Sequence, residues 1–267
     1  MFEFSYLKAN SLSEAAAFVA AHPDAKLLAG GMTLLPTLKQ RLAQPSHLVD
    51  VGRLPELGGI ELKAGRLAIG AATRHHDVAT SAVVRNAIPA LAYLASHIGD
   101  PQVRNCGTLG GSVANNDPAA DYPAAVLALD AIIVTTQREI AAADFFQGMF
   151  ATALEAGEII VRVLFPVPKR AAYEKFPHPA SGYAMAGAFV AEMATGVRVA
   201  VTGAGPGVFR WSEAESALAQ NLNVAAVDKL TLEATDLNED FHATREYRAN
   251  LAKVMTKRAL QKMLATK

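Results

Sequence analysis

Ala29-Gly30-Gly31-Met32-Thr33 and Thr108-Leu109-Gly110-Gly111-Ser112 each set adjacent glycines between an apolar or extended stretch and small polar residues. Adjacent glycines let a backbone approach a ligand closely, because no Cβ intervenes. Successive backbone N–H groups in such a turn form a concave nest for an anion. The two pairs lie about eighty positions apart with similar flanks. That arrangement points to two loops gripping one pyrophosphate from two sides. Thr33 and Ser112 add hydroxyl donors. Converging donors can replace the water shell of two phosphate charges. The alternative is a pair of ordinary tight turns.

Other candidate groups are sparse. His75 and His76 are adjacent, point apart on a helix and have no third ligand nearby, so no metal site is expected. Cys106 is the single cysteine. It excludes an internal disulfide and a cysteine-ligated zinc or cluster site, and reads as a small packing residue. Arg104 is a candidate for phosphate or partner contact. Asp117 precedes Pro118 and shapes a turn. Asn115 can hold its loop by side-chain-to-backbone bonds. Asp121 can accept from a hydroxyl or an N–H group, or cap the helix that follows.

The elements that must position these residues follow from local signals. Ser11 and Glu14 have capping-box spacing before a helix that stops ahead of Pro23. Residues 25–29 read as a short buried strand that delivers the chain into the first glycine pair. Residues 34–42 read as a helix and 47–51 as a strand. Hairpins are expected at 60–70 and 131–142, and helices at 77–86, 89–97 and 121–129. Residues 100–107 read as an irregular polar lead-in to the second pair. A strand at 158–165 ends at Pro166, and Pro166-Val167-Pro168-Lys169-Arg170 is the best candidate boundary. Beyond it, strands are expected at 171–176, 182–192 and 197–203, a helix at 224–234 and a long helix at 244–264. On that last helix Tyr247, Leu251, Val254 and Met255 share a face, from which Leu260, Met263 and Leu264 drift. The pattern is α+β in two domains.

Hydrophobic residues make up 51% and charged residues 19% of the 267, which suits a large core and excludes a disordered chain. The formal net charge is zero, unlike the basic footprint of a nucleic-acid binder. The first residues lack a basic stretch leading into an apolar one, and no apolar run is long enough to span a bilayer. A cytoplasmic location is the simplest expectation.

The stretch Lys26-Leu27-Leu28-Ala29-Gly30-Gly31-Met32-Thr33-Leu34-Leu35-Pro36 resembles the first flavin-binding loop of the medium subunits of molybdenum hydroxylases, the carbon monoxide dehydrogenase and xanthine dehydrogenase relatives. Thr108-Leu109-Gly110-Gly111-Ser112-Val113-Ala114-Asn115, followed by Asp117-Pro118-Ala119-Ala120-Asp121, resembles the second. The likeness covers nearly the whole chain. It takes in Phe4 and Tyr6, Ala71-Ala72-Thr73, Asp77 with Ser81, and Glu246-Tyr247-Arg248. It is strongest to carbon monoxide dehydrogenase medium subunits. Met32 departs from a common small polar residue or His, and Ser112 from a common Asn or Asp.

The resemblance implies an FAD-binding domain of the vanillyl-alcohol-oxidase (PCMH) type over residues 1–168, in subdomains of about 1–57 and 58–168. A small α+β C-terminal domain of the carbon monoxide dehydrogenase flavoprotein type follows over 169–267. It implies non-covalent FAD held by residues 26–34, Ala71, residues 108–112, Ala114, Asp117 and Asp121. Leu164 would pack beside the isoalloxazine, and Lys175 would stand near its N1–C2=O edge; ordinary core and a solvated strand lysine are the competing readings. Tyr183 would contact the flavin or sit at a core edge. No catalytic residue and no metal site are implied on this chain. The implied partners are a large subunit with a molybdenum–molybdopterin cofactor and a small subunit with two [2Fe–2S] clusters, in an (αβγ)2 heterohexamer. Electrons would leave through FAD to a quinone, NAD or dioxygen. The single cysteine excludes the [4Fe–4S] insertion of the hydroxybenzoyl-CoA reductases. The alternatives are the medium subunit of an aldehyde, xanthine or other N-heterocycle dehydrogenase, a stand-alone flavoprotein oxidase, or a nucleotide-binding module without activity.

Overall fold

The computed structural model describes residues 1–266. The chain opens with β1 (Ser5–Lys8), α1 (Leu12–Ala21), β2 (Lys26–Leu28), α2 (Leu34–Lys39) and β3 (His47–Asp50). β3 lies between β1 and β2 and runs parallel to both. Parallel strands need crossovers, which α1 and α2 supply. Ser11 caps α1 by accepting the Glu14 N–H at 3.1 Å, while the Glu14 carboxylate reaches back to the Asn10 N–H at 2.7 Å. Ala15, Val19, Val49, Val51 and Leu57 close this small core, joined by Ile159 from far along the chain. α2 ends earlier than the sequence suggests, because Arg41 turns left-handed at φ 59°.

β4 (Ile60–Lys63) and β5 (Arg66–Gly70) form the expected hairpin. Six short helices follow: α3 (His75–Thr80), α4 (Ala82–Ala87), α5 (Pro89–Ser96), α6 (Pro101–Cys106), α7 (Leu109–Asn115) and α8 (Tyr122–Ala128). The single helix expected at 77–86 is broken at Ser81, which is extended (φ −60°, ψ 125°) and caps α4 instead. The segment expected to be irregular is α6, started by Asp100 accepting the Val103 N–H at 2.8 Å and by Pro101 in the first turn. The hairpin of β6 (Ile132–Thr135) and β7 (Glu139–Ala141) follows, then α9 (Ala142–Phe145), β8 (Phe146–Gly148) and β9 (Ala151–Thr152). β10 (Ile160–Pro166) closes the sheet by inserting antiparallel between β5 and β6.

A second antiparallel sheet carries β11 (Arg170–Pro177), β12 (Ala184–Met193), β13 (Gly196–Thr202) and β14 (Phe209–Arg210) in sequence order. Its two faces follow the strand period of two. Tyr173, Phe189, Ala191 and Ala200 join the core built by α5 and α8. Ala172, Val190, Val199 and Val201 pack with α10 (Ser212–Gln220), α11 (Ala225–Asp228) and α12 (Arg245–Ala265). α10 was not expected, and the helix expected at 224–234 forms only over α11. α12 matches its expected span, but Tyr247 is exposed whereas Leu260 and Met263 are buried. The helix runs along β11 and β12, and the sheet covers the face onto which the later residues drift. No helix among the described residues is long and apolar enough to cross a membrane.

His75 sits in the middle core, its ring 5.3 Å from that of Tyr122, while His76 is exposed. Burial, with Arg104 nearby, lowers its pKa from 6.5 to about 4. The unfolded chain therefore binds a proton at His75 that the folded chain refuses between those values, and stability falls as pH drops through this window. His75→Gln should reduce that acid-side loss by up to about 3 kcal/mol. Urea titrations of both proteins at several pH values between neutrality and the acid limit measure it; parallel pH profiles would contradict it.

Candidate functional site

β2 delivers the chain into Ala29 and Gly30 at the carboxyl end of the parallel sheet, where ligand crevices form in such sheets. A Cβ on Gly30 would overlap the Cys106 carbonyl oxygen and stand 2.7 Å from Gly107 Cα. The first loop therefore lies directly on the segment that enters the second. None of the five backbone N–H groups of residues 29–33 has an acceptor among the described residues. Gly31 turns left-handed at φ 69°, the alternation that makes successive N–H groups concave. Thr33 is exposed and caps nothing with its side chain.

The second loop is built differently. Thr108 pairs with Arg74 in an isolated bridge and caps α7, accepting the Gly111 N–H at 3.1 Å. The Leu109 N–H donates to Thr73 O at 2.9 Å, the Gly110 N–H to Ala71 O at 2.8 Å and the Ser112 N–H to Thr108 O at 3.0 Å. These donors, expected to face the phosphates, are occupied within the chain. Gly110 is glycine for packing: its Cβ would stand 2.8 Å from Ala71 O. Ala71 is buried behind the loop. What this side offers to a ligand is Thr108, exposed Gly111 and Ala114, and the half-buried Ser112 hydroxyl.

Between the loops lies a cleft of about 160 Å³. Ala29, Gly30, Cys106 and Thr108 line it from the loops, Asp50, Gly52 and Arg53 from the end of β3, and Ala72 and Arg74 from the end of β5. Sequence reasoning missed Asp50, Arg53 and Arg74. The signal available was their place just past strand ends. Cys106 is exposed on the cleft wall rather than packed inside. Arg104 is turned inward to the Ile98 and Gly99 carbonyls at 3.0 and 2.8 Å.

Tyr183, Thr33 and Asp117 meet beside the first loop. Burial and the Asp117 charge push the Tyr183 phenol pKa up, while a hydrogen bond with Thr33 pulls it down. Asp117 shapes its turn by accepting the Ala119 N–H at 2.9 Å. Asn116, not Asn115, holds the adjoining loop: its buried amide donates to Gly148 O and Ala151 O, both at 2.7 Å. Lys26, Leu27 and Leu28 form the strand leading into the site, with Lys26 exposed; Met32 and Leu34 are half-buried. Leu164 is half-buried on the β10 face opposite buried Val163 and Phe165, between Ala68 and Ile132.

Asp121 neither caps α8 nor reaches the surface. It accepts the Tyr173 hydroxyl at 2.5 Å and lies 3.0 Å from Lys175 Nζ. Lys175 also donates to Gly182 O at 2.8 Å, and its side chain is only 6% exposed. Burial raises the Asp121 pKa, against the pull of Lys175 and Tyr173. Lys175 is thus neither a free cation nor a solvated strand lysine. It borders a second cleft, of about 290 Å³, with Tyr93, His97 and Arg104.

A run of five unpartnered N–H groups whose first two residues, Ala29 and Gly30, line a narrow cleft has the donor chemistry a diphosphate needs. The family model for the FAD binding domain in molybdopterin dehydrogenase matches residues 2–168. The chain belongs to that family of FAD-binding medium subunits of molybdenum hydroxylases. A second model, the carbon monoxide dehydrogenase flavoprotein C-terminal domain, matches residues 171–263. The carbon monoxide dehydrogenase medium chain of Hydrogenophaga pseudoflava is 36% identical over 96% of both chains. The glyceraldehyde dehydrogenase medium chain of Sulfolobus acidocaldarius is 33% identical over 98% of both. Among solved structures, reconstituted carbon monoxide dehydrogenase from Oligotropha carboxidovorans superposes with a TM-score of 0.94 at 34% identity, covering 100% of this chain and 99% of that one. This medium subunit carries FAD and is an oxidoreductase subunit; its relatives are medium chains of multi-subunit dehydrogenases.

Removing one member of the buried pair strands the other. Asp121→Asn should destabilise this medium subunit by about 3 kcal/mol or more, and Asp121→Leu combined with Lys175→Met should recover much of that loss. Chemical denaturation measures both; a single variant as stable as the parent would contradict it.

Proposed function

We propose that this subunit takes electrons from a partner carrying [2Fe–2S] clusters and passes them through FAD to an external acceptor, within an (αβγ)2 complex most like carbon monoxide dehydrogenase. The observation that carries the reading is the run of unpartnered N–H groups at residues 29–33, which starts at a cleft that Ala29 and Gly30 share with Cys106 and Thr108. The diphosphate of FAD is the ligand whose chemistry fits it. When bound, the flavin exchanges two electrons singly or as a pair.

The chain's own residues bind and orient. The first loop supplies directional donors to the phosphates. Thr108, Gly111, Ser112 and Ala114 form the opposing wall. Tyr183, beside Thr33 and Asp117, covers the flavin end of the site. Asp121, Tyr173 and Lys175 hold the Gly182 carbonyl, one residue before this tyrosine; their effect on the flavin is one of position. In this reading residues 1–168 form the flavin domain, in two parts, and 169–267 a smaller domain that helps to close the site. Substrate oxidation takes place on the molybdenum subunit, and the complex works in the cytoplasm.

The purified chain should show flavin bands near roughly 370 and 450 nm, a property of the cofactor. Gly30→Val should lose them, because the added side chain drives the loops apart. The isolated chain should oxidise no substrate, whereas co-expression with its large and small partners should give activity. A colourless parent protein, or Gly30→Val with normal flavin content, would overturn the assignment.

A further inference from the structure

Two arginines enter the cleft from sides that neither glycine loop occupies. Arg53 follows β3, and Arg74 follows β5 with its backbone bridged to Thr108. Both are exposed, and neither makes a side-chain hydrogen bond or ion pair with the described residues. Arg170 pairs with Glu192, Arg210 with Glu215 and Arg248 with Asp240, while Arg66, Arg162 and Arg258, which also lack such a partner among the described residues, do not line this cleft. The carboxylate lining the same cleft is engaged too. Asp50 accepts the Tyr6 hydroxyl at 2.6 Å and the Gly52 N–H at 2.9 Å.

A diphosphate brings two negative charges. The N–H groups of residues 29–33 offer it direction but no net charge, and the N–H groups at the start of α7 are occupied. A charge drawn partly out of water needs a counter-charge. Guanidinium groups meet phosphate oxygens through paired, charge-assisted hydrogen bonds.

We propose that Arg53 and Arg74 are the cationic half of the phosphate site, neutralising the diphosphate whose oxygens the first loop orients. The proposal rests on the reading of this cleft as the FAD site. It makes FAD affinity depend on ionic strength, and it makes the two arginines discriminate flavins that carry phosphate from riboflavin, which carries none.

The test uses the full chain stripped of flavin and titrated with FAD, riboflavin and inorganic pyrophosphate at increasing salt. Flavin fluorescence reports the first two, and calorimetry the third. Arg53→Gln and Arg74→Gln should each weaken FAD and pyrophosphate by about tenfold at low salt, and the double variant by more. The double variant should also lose most of the salt dependence. Arg53→Lys and Arg74→Lys should keep that salt dependence, and riboflavin affinity should change less than twofold in every variant. Both positions are exposed, so circular dichroism should report an intact fold. FAD binding by the double variant with parental affinity and salt slope would overturn the inference while leaving the flavin assignment standing. A parent that binds pyrophosphate through these arginines but not FAD would keep the anion site and overturn the flavin reading. A parent that binds neither overturns both.

Discussion

The site depends on one close approach of backbone to backbone, Gly30 against Cys106 and Gly107. Any side chain at position 30 would overlap the carbonyl oxygen opposite. The contact joins the carboxyl end of a parallel sheet to the start of α7, two regions that otherwise belong to separate buried clusters. It is backed from behind. Gly107 O accepts the His75 N–H at 2.9 Å, and the His75 ring lies against Tyr122 in the core. Movement of the cleft wall would therefore disturb a buried, neutral imidazole and the helix beneath it. A ligand between the loops meets a surface set by core packing.

Two similar glycine motifs do two different jobs. The first follows a strand and precedes a short helix, and its N–H groups belong to neither ladder. The second is stitched to residues 71–74 and then enters a capped helix, so its N–H groups have partners before any ligand arrives. The glycine at 110 lets α7 approach Ala71; the glycine at 30 lets the whole loop approach its counterpart. Loop residues that look alike in sequence are separated only by what accepts their hydrogen bonds, and those acceptors lie tens of residues away.

That difference sets what is legible in the sequence alone. The hairpins at 60–70 and 131–142, the Ser11 cap and the long α12 all rest on signals within a few residues, and they emerge at or near their expected positions, whereas the second glycine pair, expected as a loop, lies in the first turn of α7. Asp121 does not, because its partners Tyr173 and Lys175 stand 52 and 54 positions on and no local rule pairs them. The break at Ser81 and the start of α6 at Asp100-Pro101 were written in capping chemistry, but the polar composition around them masked it. Arg53 and Arg74 carried no motif. Only the fold shows that two separate strands end at one cleft.

The buried Asp121–Lys175 pair explains how the later sheet can serve a site built mainly by the earlier part of the chain. Lys175 holds Asp121 at the start of α8 on one side and the carbonyl of Gly182 on the other, and Tyr183 is the next residue. The position of that exposed tyrosine is tied to the middle of the chain by this ammonium on one side and by the Ala184 N–H, which donates to Ala119 O at 3.2 Å, on the other. A buried pair contributes little net stability compared with apolar packing, but a misplaced partner is expensive, so its geometry is specific. The same pairing limits its electrostatic reach. The charge of Lys175 is met by its carboxylate 3.0 Å away, and what the cleft feels from it is the weaker field of a dipole. Any strong positive potential at the phosphates must then come from side chains without a partner, and at this cleft those are Arg53 and Arg74.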